Sequence, residues 1–334
     1  MIKIAVVGLG MIGQQMLPVL KEMPEYEIVA LCGTDRSKDS IQQLQEQYQV
    51  EKVYSNYSKM LRDKHFDADL IYLAVPNHMH YVMAKEAVEH NFHVFVEKPF
   101  VLSYEHAKEL VSMARERHLI VLEAISNQYL PIFGQIKEAL PRVGTIRQVT
   151  MNFSQYSSRF DKFLAGEYVR VFDPEIGGGA LLDINIYNLH LAVGLFGGPS
   201  DGIYFANQMR GVDTSGTVVL RYPDFICTCI GAKDAQGPSV LLIEGTKGYL
   251  VIKAPTNTLQ AALEFYDNSS KEVEILYQPD VNVHRMVYEF RELARMIQER
   301  DWEGCRMRQQ ESVRVCKLAE RLRLNQNTET NFFH

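Results

Sequence analysis

Two stretches of the chain combine residue types that could do acid–base chemistry. Residues 96–100 read VEKPF, so an apolar run, FHVFV, ends on Glu97, Lys98 and Pro99. Much later, GGGALLDINIYNLHLAVGLFGG carries Asp183, Tyr187 and His190 as its only ionisable side chains between Gly177 and Gly198. A helix this apolar is expected to be buried, and with 3.6 residues per turn positions 183, 187 and 190 fall within roughly 60° of one another on one face. Polar groups there must be paired or face a cavity, because burying them unsatisfied is costly. A cation, a phenol and a carboxylate could together stabilise charge on a reacting oxygen and exchange its proton. The plainer alternatives are a charged pair where a strand returns to water and a satisfied core network; for His190 an ordinary core histidine is as good a reading as an extension of the stripe.

A third pattern concerns a cofactor. VVGLGMIG sets Gly8, Gly10 and Gly13, with Met11 and Ile12 between them, in G-x-G-x-x-G spacing between the first apolar run and the first helical one. The first glycine permits a tight turn, the second lets backbone approach a pyrophosphate, and the third lets helix and strand pack closely. An NAD site usually has Asp or Glu at the end of the second strand. Here EIVALC runs into GTDRSK, with Gly33 in that place and Thr34, Arg36, Ser37 and Lys38 offering donors to a 2′-phosphate. This favours NADP over NAD, while Asp35 leaves the NAD alternative open. Ligands of such sheets lie outside the carboxyl ends of the strands, so Pro76, Asn77 and His80 of AVPNHMH should border the same crevice as Glu97 and Lys98. His78 and His80 are separated from His90 and His93 by a helix about 15 Å long, too far to share one ion, so no metal is expected.

The elements that must position these residues show two rhythms. Up to residue 124 short apolar runs (IKIAVV, EIVALC, DLIYLAV, HVFV, LIVLEA) alternate with helical segments, which predicts an α/β domain: a doubly wound parallel sheet of the Rossmann type with helices on both faces. Residues 125–334 change pattern. A helix near 130–140, a long strand near 144–156 and the apolar helix near 179–196 precede seven strand-like runs and two final helices. That order predicts an α+β domain with a large, mostly antiparallel open sheet, for substrate binding and oligomerisation.

Composition narrows the class. The 334 residues exceed what one core usually holds, 46% are hydrophobic, and the formal net charge of −6 is not clustered. No basic footprint for nucleic acid or an anionic membrane is present. The apolar start lacks a basic region and a cleavage site, and the stretch at 180–197 is interrupted by Asp183 and His190, so neither a signal peptide nor a membrane span is expected. Five scattered cysteines suit a reducing compartment, and the expected location is the cytoplasm.

Taken in order, GLGMIG, VPNHMHY, VEKPF, GGGALLDINIY and IEGTKGYLVI resemble the glucose-fructose oxidoreductase, inositol dehydrogenase and MocA (Gfo/Idh/MocA) family almost end to end. The resemblance implies an NAD(P)-dependent dehydrogenase or reductase acting on a CH–OH or carbonyl carbon of a sugar, polyol or related small molecule. It makes Lys98 the lysine of the family's E-K-P motif, before a cis proline bond, and Asp183 the aspartate of its second-domain helix. Tyr187 stands where members carry histidine or tyrosine; tyrosine is similar to the dihydrodiol dehydrogenase and glucose-fructose oxidoreductase branches. The roles implied are Tyr187 as acid/base, Lys98 as stabiliser and relay, and Asp183 as orienter, with Lys98 as direct acid/base the alternative. Tyr156 and Arg159 of NFSQYSSRFDK are further candidate substrate contacts. A homodimer through the open sheet is implied, with a tetramer open. Two rival functions are carried: an enzyme that uses bound NAD(P) transiently in an elimination or hydrolysis, and a non-catalytic dinucleotide sensor that regulates a partner protein.

Overall fold

The computed structural model describes residues 1–34 and 38–325, the side chains of residues 38 and 39 excepted. The described residues form two compact units, Met1–Ala124 with Met286–Val313, and Ile125–Arg285 with 314–325.

In the first unit, strands β1 (Ile2–Val7), β2 (Tyr26–Cys32), β3 (Lys52–Tyr54), β4 (Leu70–Leu73), β5 (His93–Glu97) and β6 (Val121–Ala124) form one sheet in the order β3-β2-β1-β4-β5-β6. Every pairing is parallel. Both faces are covered, so Ile4, Val6, Leu70, Tyr72 and Phe95 are fully enclosed, which is why these strands read as unbroken apolar runs. The helices between them are α1 (Met11–Glu22), α2 (Lys38–Tyr48), α3 (Tyr57–Arg62), α4 (His80–Glu89) and α5 (Tyr104–Glu116). Strand order reverses at β1, which pairs with β2 on one side and β4 on the other, so the crevice for a ligand opens beyond Val7 and Leu73. β3 is too short to carry a readable period.

The sequence pattern predicts one domain over residues 125–334; Met286–Val313 instead packs with the first unit. Met286, Phe290, Leu293 and Ala294 form the apolar stripe of helix Met286–Glu299 and pack in one cluster with Ile4, Tyr72 and Phe95. The Phe290 ring stands edge-on to Tyr26, Tyr72 and Phe95, with centroids 5.8, 5.1 and 5.0 Å away. This packing joins residues almost 300 positions apart, which no local pattern announces.

The second unit holds α6 (Pro131–Ala139), β7 (Ile146–Ser154), α7 (Phe160–Leu164), α8 (Ile186–Phe196) and strands β8 (Asp201–Met209), β9 (Val212–Arg221), β10 (Ile226–Ala232), β11 (Val240–Gly245), β12 (Gly248–Ile252), β13 (Leu263–Asp267) and β14 (Val273–Tyr277). Its sheet runs β14-β13-β12-β11-β7-β10-β9-β8, antiparallel except where β10 pairs parallel with β7. Val149, Met151, Val218, Leu220, Cys227 and Cys229 turn inward and are fully enclosed, as are Leu189, Leu191 and Ala192 of α8. The five cysteines are buried and unlinked. Pro174–Phe196 is long and apolar enough to cross a membrane by length and composition, but 78% of its apolar window is buried inside the protein, as for a core helix.

Candidate active site

The glycine motif builds a cradle at the end of β1. Gly8 has φ +92, and a Cβ there would lie 2.3 Å from the Ala74 carbonyl oxygen just beyond β4, so the turn between β1 and α1 admits only glycine. A Cβ on Gly13 would lie 2.0 Å from the Gly8 carbonyl oxygen, which fixes how closely α1 approaches the strand. Gly10 differs: no atom lies within 4 Å of its would-be Cβ. It stands at the N-terminus of α1, whose first turn carries no acid, so the positive end of the helix dipole is not neutralised by a side chain of that turn. Met11 is exposed and Ile12 half-buried beside it. An anionic pyrophosphate fits this cradle. At the ribose end β2 stops at Cys32, Gly33 is half-buried and Thr34 exposed; Arg36 and the Lys38 side chain lie outside the described residues.

Beyond β5, the residues around Lys98 are fixed from both sides. The Tyr72 hydroxyl donates to Glu97 Oε1 at 2.6 Å, and the Phe100 amide donates to Glu123 Oε1 at 2.8 Å. Lys98 is half-buried between them, and the Lys98–Pro99 bond is cis. Glu97, expected as a cofactor contact, is buried, its Oε1 held by the Tyr72 hydroxyl. Pro76 and Asn77 are half-buried at the turn after β4. His80, also expected to face the cofactor, is fully enclosed beneath that turn, with Nδ1 2.8 Å from the Pro99 carbonyl oxygen and Nε2 2.9 Å from that of Val75. It ties the end of β4 to the end of β5. Burial lowers its pKa despite the two carbonyls, which favour the proton.

In the second unit the glycine run again serves close approach. Gly179 has φ +115, and a Cβ there would lie 1.9 Å from Asp213 Oδ1. With that space open, Asp213 Oδ2 accepts the Leu181 amide at 2.6 Å and the Tyr204 hydroxyl at 2.7 Å, satisfying the start of the helix from β9. Leu181–Asn185 then winds as a π-turn before α8 begins at Ile186. This corrects the angular reading, which assumed α-helical winding from 183 to 190. The three stripe residues do not share one environment: the Asp183 side chain is 34% exposed, whereas Tyr187 is 6% and His190 0% exposed as residues. Wide turns of this kind are frequent at functional positions.

Asp183 Oδ2 lies 2.8 Å from Nζ of Lys233, a residue the sequence reading passed over. Tyr187 packs edge-on against Phe153 at 6.1 Å, and its carbonyl accepts the Asn127 amide at 2.9 Å. Asn185 and Asn188 donate to the carbonyls of Cys229 and Ile230 on β10 at 3.1 and 2.9 Å, locking the helix to the sheet. A Cβ on Gly231 would lie 2.8 Å from that of Asn185, so the glycine admits this contact. His190 is fully enclosed in the core: the Gln128 side-chain amide donates to its backbone carbonyl at 2.8 Å and lies 3.4 Å from its Nδ1.

Tyr156 is exposed and donates to Asp161 at 2.6 Å, and Arg159 is half-buried at the start of α7. Among the described residues no group of three or more His, Cys, Asp or Glu side chains is placed to hold a metal ion. Lys233 and Asp213 were missed because each sits at a strand end among ordinary polar residues. The one available signal was that Lys233, like Lys98, directly follows an apolar strand.

A parallel sheet with a glycine cradle at its reversal point, joined to a largely antiparallel sheet, defines a dinucleotide-dependent oxidoreductase. Residues 2–125 match the oxidoreductase family with an NAD-binding Rossmann fold, GFO_IDH_MocA, and residues 135–251 match the GFO/IDH/MocA C-terminal domain. The chain belongs to the Gfo/Idh/MocA oxidoreductase family. It is 31% identical over 300 residues to the uncharacterized oxidoreductase YgjR of Escherichia coli (90% of this chain, 89% of that one). It is 29% identical over 324 residues to the scyllo-inositol 2-dehydrogenase (NADP(+)) IolU of Bacillus subtilis (97% and 96%). The structure of the 3-ketoreductase KijD10 from Actinomadura kijaniata, in complex with NADP and TDP-benzene, shares the fold at TM-score 0.81 and 22% identity, covering 97% of this chain and 98% of that one.

Proposed function

We propose that this chain moves hydride between C4 of a nicotinamide, NADP in preference to NAD, and a hydroxyl-bearing or carbonyl carbon of a sugar, polyol or related small molecule. The observation that carries the reading is the Asp183–Tyr187 segment: a partly exposed carboxylate, held by a buried ammonium, four residues before a tyrosine on a buried helix. Such a carboxylate accepts hydrogen bonds only and so selects substrates rich in hydroxyls. The dinucleotide, when bound, supplies or takes up the hydride. Gly8, Gly10 and Gly13 with the amides of α1 hold its pyrophosphate.

In the proposed chemistry Tyr187 exchanges the proton of the reacting oxygen, and Lys98 stabilises negative charge on that oxygen as the carbon is reduced. Asp183 orients the substrate through a hydroxyl. Lys98 as direct acid/base is the alternative within the same reading. The NADP preference is supported by the absence of an acid at the end of β2 and by the cofactor named for the Bacillus relative.

We place the enzyme in the cytoplasm, in keeping with five unlinked cysteines. We read it as a homodimer through the outer sheet face, where Ile203 and Phe205 are 51% and 59% exposed while Tyr204 between them is buried.

Fluorescence titration with NADPH and with NADH, followed by a turnover screen of inositols, hexoses and ketoses, tests the reading. Tighter NADPH binding and turnover of a polyol or sugar are expected. Tighter NADH binding overturns the cofactor preference, and failure of both to bind overturns the function.

A further inference from the structure

The proposed chemistry makes no use of Lys233, yet few cations in the protein are so enclosed. Its side chain is 2% exposed, and Nζ lies 2.8 Å from Asp183 Oδ2. It also donates to the Val171 carbonyl at 2.7 Å and sits 4.3 Å from the centroid of the Phe172 ring. Its backbone is fixed as well, the amide donating to the Thr214 carbonyl and the carbonyl accepting the Ser157 amide, each at 2.8 Å. Burying an ammonium is expensive, and a purely structural lysine could have been replaced by an apolar side chain of similar size at little loss. What an apolar residue could not do is hold a carboxylate ionised and in one orientation.

The choice of partner is informative. Asp213, on the neighbouring strand, is 8% exposed and already accepts the Leu181 amide and the Tyr204 hydroxyl. The ammonium makes its close ion pair with Asp183, the carboxylate that still reaches solvent, although its charge is also felt at Asp213. An ion pair whose cation is buried does not exchange freely with water, so Asp183 presents its acceptor in a preset direction.

We propose that Lys233 is a positioning residue of the reaction, fixing the direction in which Asp183 accepts a hydrogen bond from a hydroxyl of a polyhydroxylated substrate. The proposal rests on the reading of Asp183 as a substrate acceptor. It makes Lys233 a determinant of specificity: substrates carrying the hydroxyl that Asp183 accepts depend on the lysine, and analogues lacking that hydroxyl do not.

The test compares K233M, D183N and the double variant on whichever inositol, hexose or ketose the wild-type enzyme turns over fastest, and on deoxy analogues of it. K233M is expected to bind NADPH as the wild type does and to raise KM on the order of 10- to 100-fold with a smaller loss of kcat. The double variant should be little worse than D183N alone, because both changes remove one interaction. For the deoxy analogue lacking the recognised hydroxyl, K233M and wild type should have similar kcat/KM. Wild-type kinetics in K233M beside a damaged D183N overturn the proposal and leave the proposed function standing. Wild-type kinetics in D183N, or no turnover of any panel member, remove the reading on which both depend. If K233M does not fold, K233Q, which keeps an amide donor for the Val171 carbonyl, takes its place; failure of both to fold makes the lysine structural and overturns the proposal.

Discussion

The cofactor cradle and the Asp183–Tyr187 segment solve the same problem by different means. The cradle is made of backbone: Gly8 and Gly13 let strand and helix approach closely, and Gly10 leaves its Cβ position open at the start of α1. The Asp183 segment is made of buried side chains, with Asp213 and Lys233 arriving from strands 30 and 50 positions farther along. A backbone-built site rests on contacts within a short stretch and on one neighbouring strand. A site built from side chains depends on distant partners, each of which must be satisfied in a low-dielectric setting.

The largest expected effect separates glycines within the cradle itself. Gly8→Ala forces a Cβ to 2.3 Å from the Ala74 carbonyl at φ +92, which should destabilise the protein by about 2–4 kcal/mol and abolish cofactor binding. Gly10→Ala meets no atom within 4 Å, so stability should change by less than about 0.5 kcal/mol while NADPH affinity falls. Urea melts paired with fluorescence titration check both. Equal loss of stability in the two variants would mean that Gly10 is a turn residue, with no role toward a phosphate.

Gly179→Ala probes the other region. A Cβ 1.9 Å from Asp213 Oδ1, at φ +115, must displace the carboxylate that receives Leu181 and Tyr204. A loss of about 1–3 kcal/mol is expected, with NADPH binding preserved and turnover reduced. Turnover at the wild-type level would detach Asp213 from the site.

The smallest effect is a pH dependence of stability. His80 is held below its usual pKa by burial, and His93 is shifted the same way for the same reason. Both are more readily protonated in the unfolded chain, so their contribution is complete above a pH of about 6.5 and is lost as pH falls toward the folded values. Stability should therefore decline from pH 7.5 to 5.5, and His80→Gln should flatten part of that decline. A steeper decline in the variant would show that His80 is cationic in the fold.

The same contrast explains what could be read from sequence. The parallel sheet and the glycine motif were legible because each is a local pattern of spacing or alternation. The return of Met286–Val313 to the first unit was not, since the stripe of that helix fits any apolar surface. Nor was the π-turn at Leu181–Asn185, whose first amide is held by Asp213 from β9. Glu97 and His80 were placed at the cofactor because they flank Lys98 in sequence or in the crevice. Both are buried, with hydrogen bonds to Tyr72 and to the Pro99 and Val75 carbonyls that no local pattern announces.

The most direct test of the central claim is steady-state turnover of Tyr187→Phe with the best substrate from the panel. The ring is buried beside Phe153, so the variant keeps the packing and loses only the hydroxyl. A fall in kcat on the order of 10²- to 10⁴-fold, with NADPH affinity unchanged, is the predicted result. Turnover close to wild type would contradict the assignment of Tyr187 and move the proton transfer to Lys98.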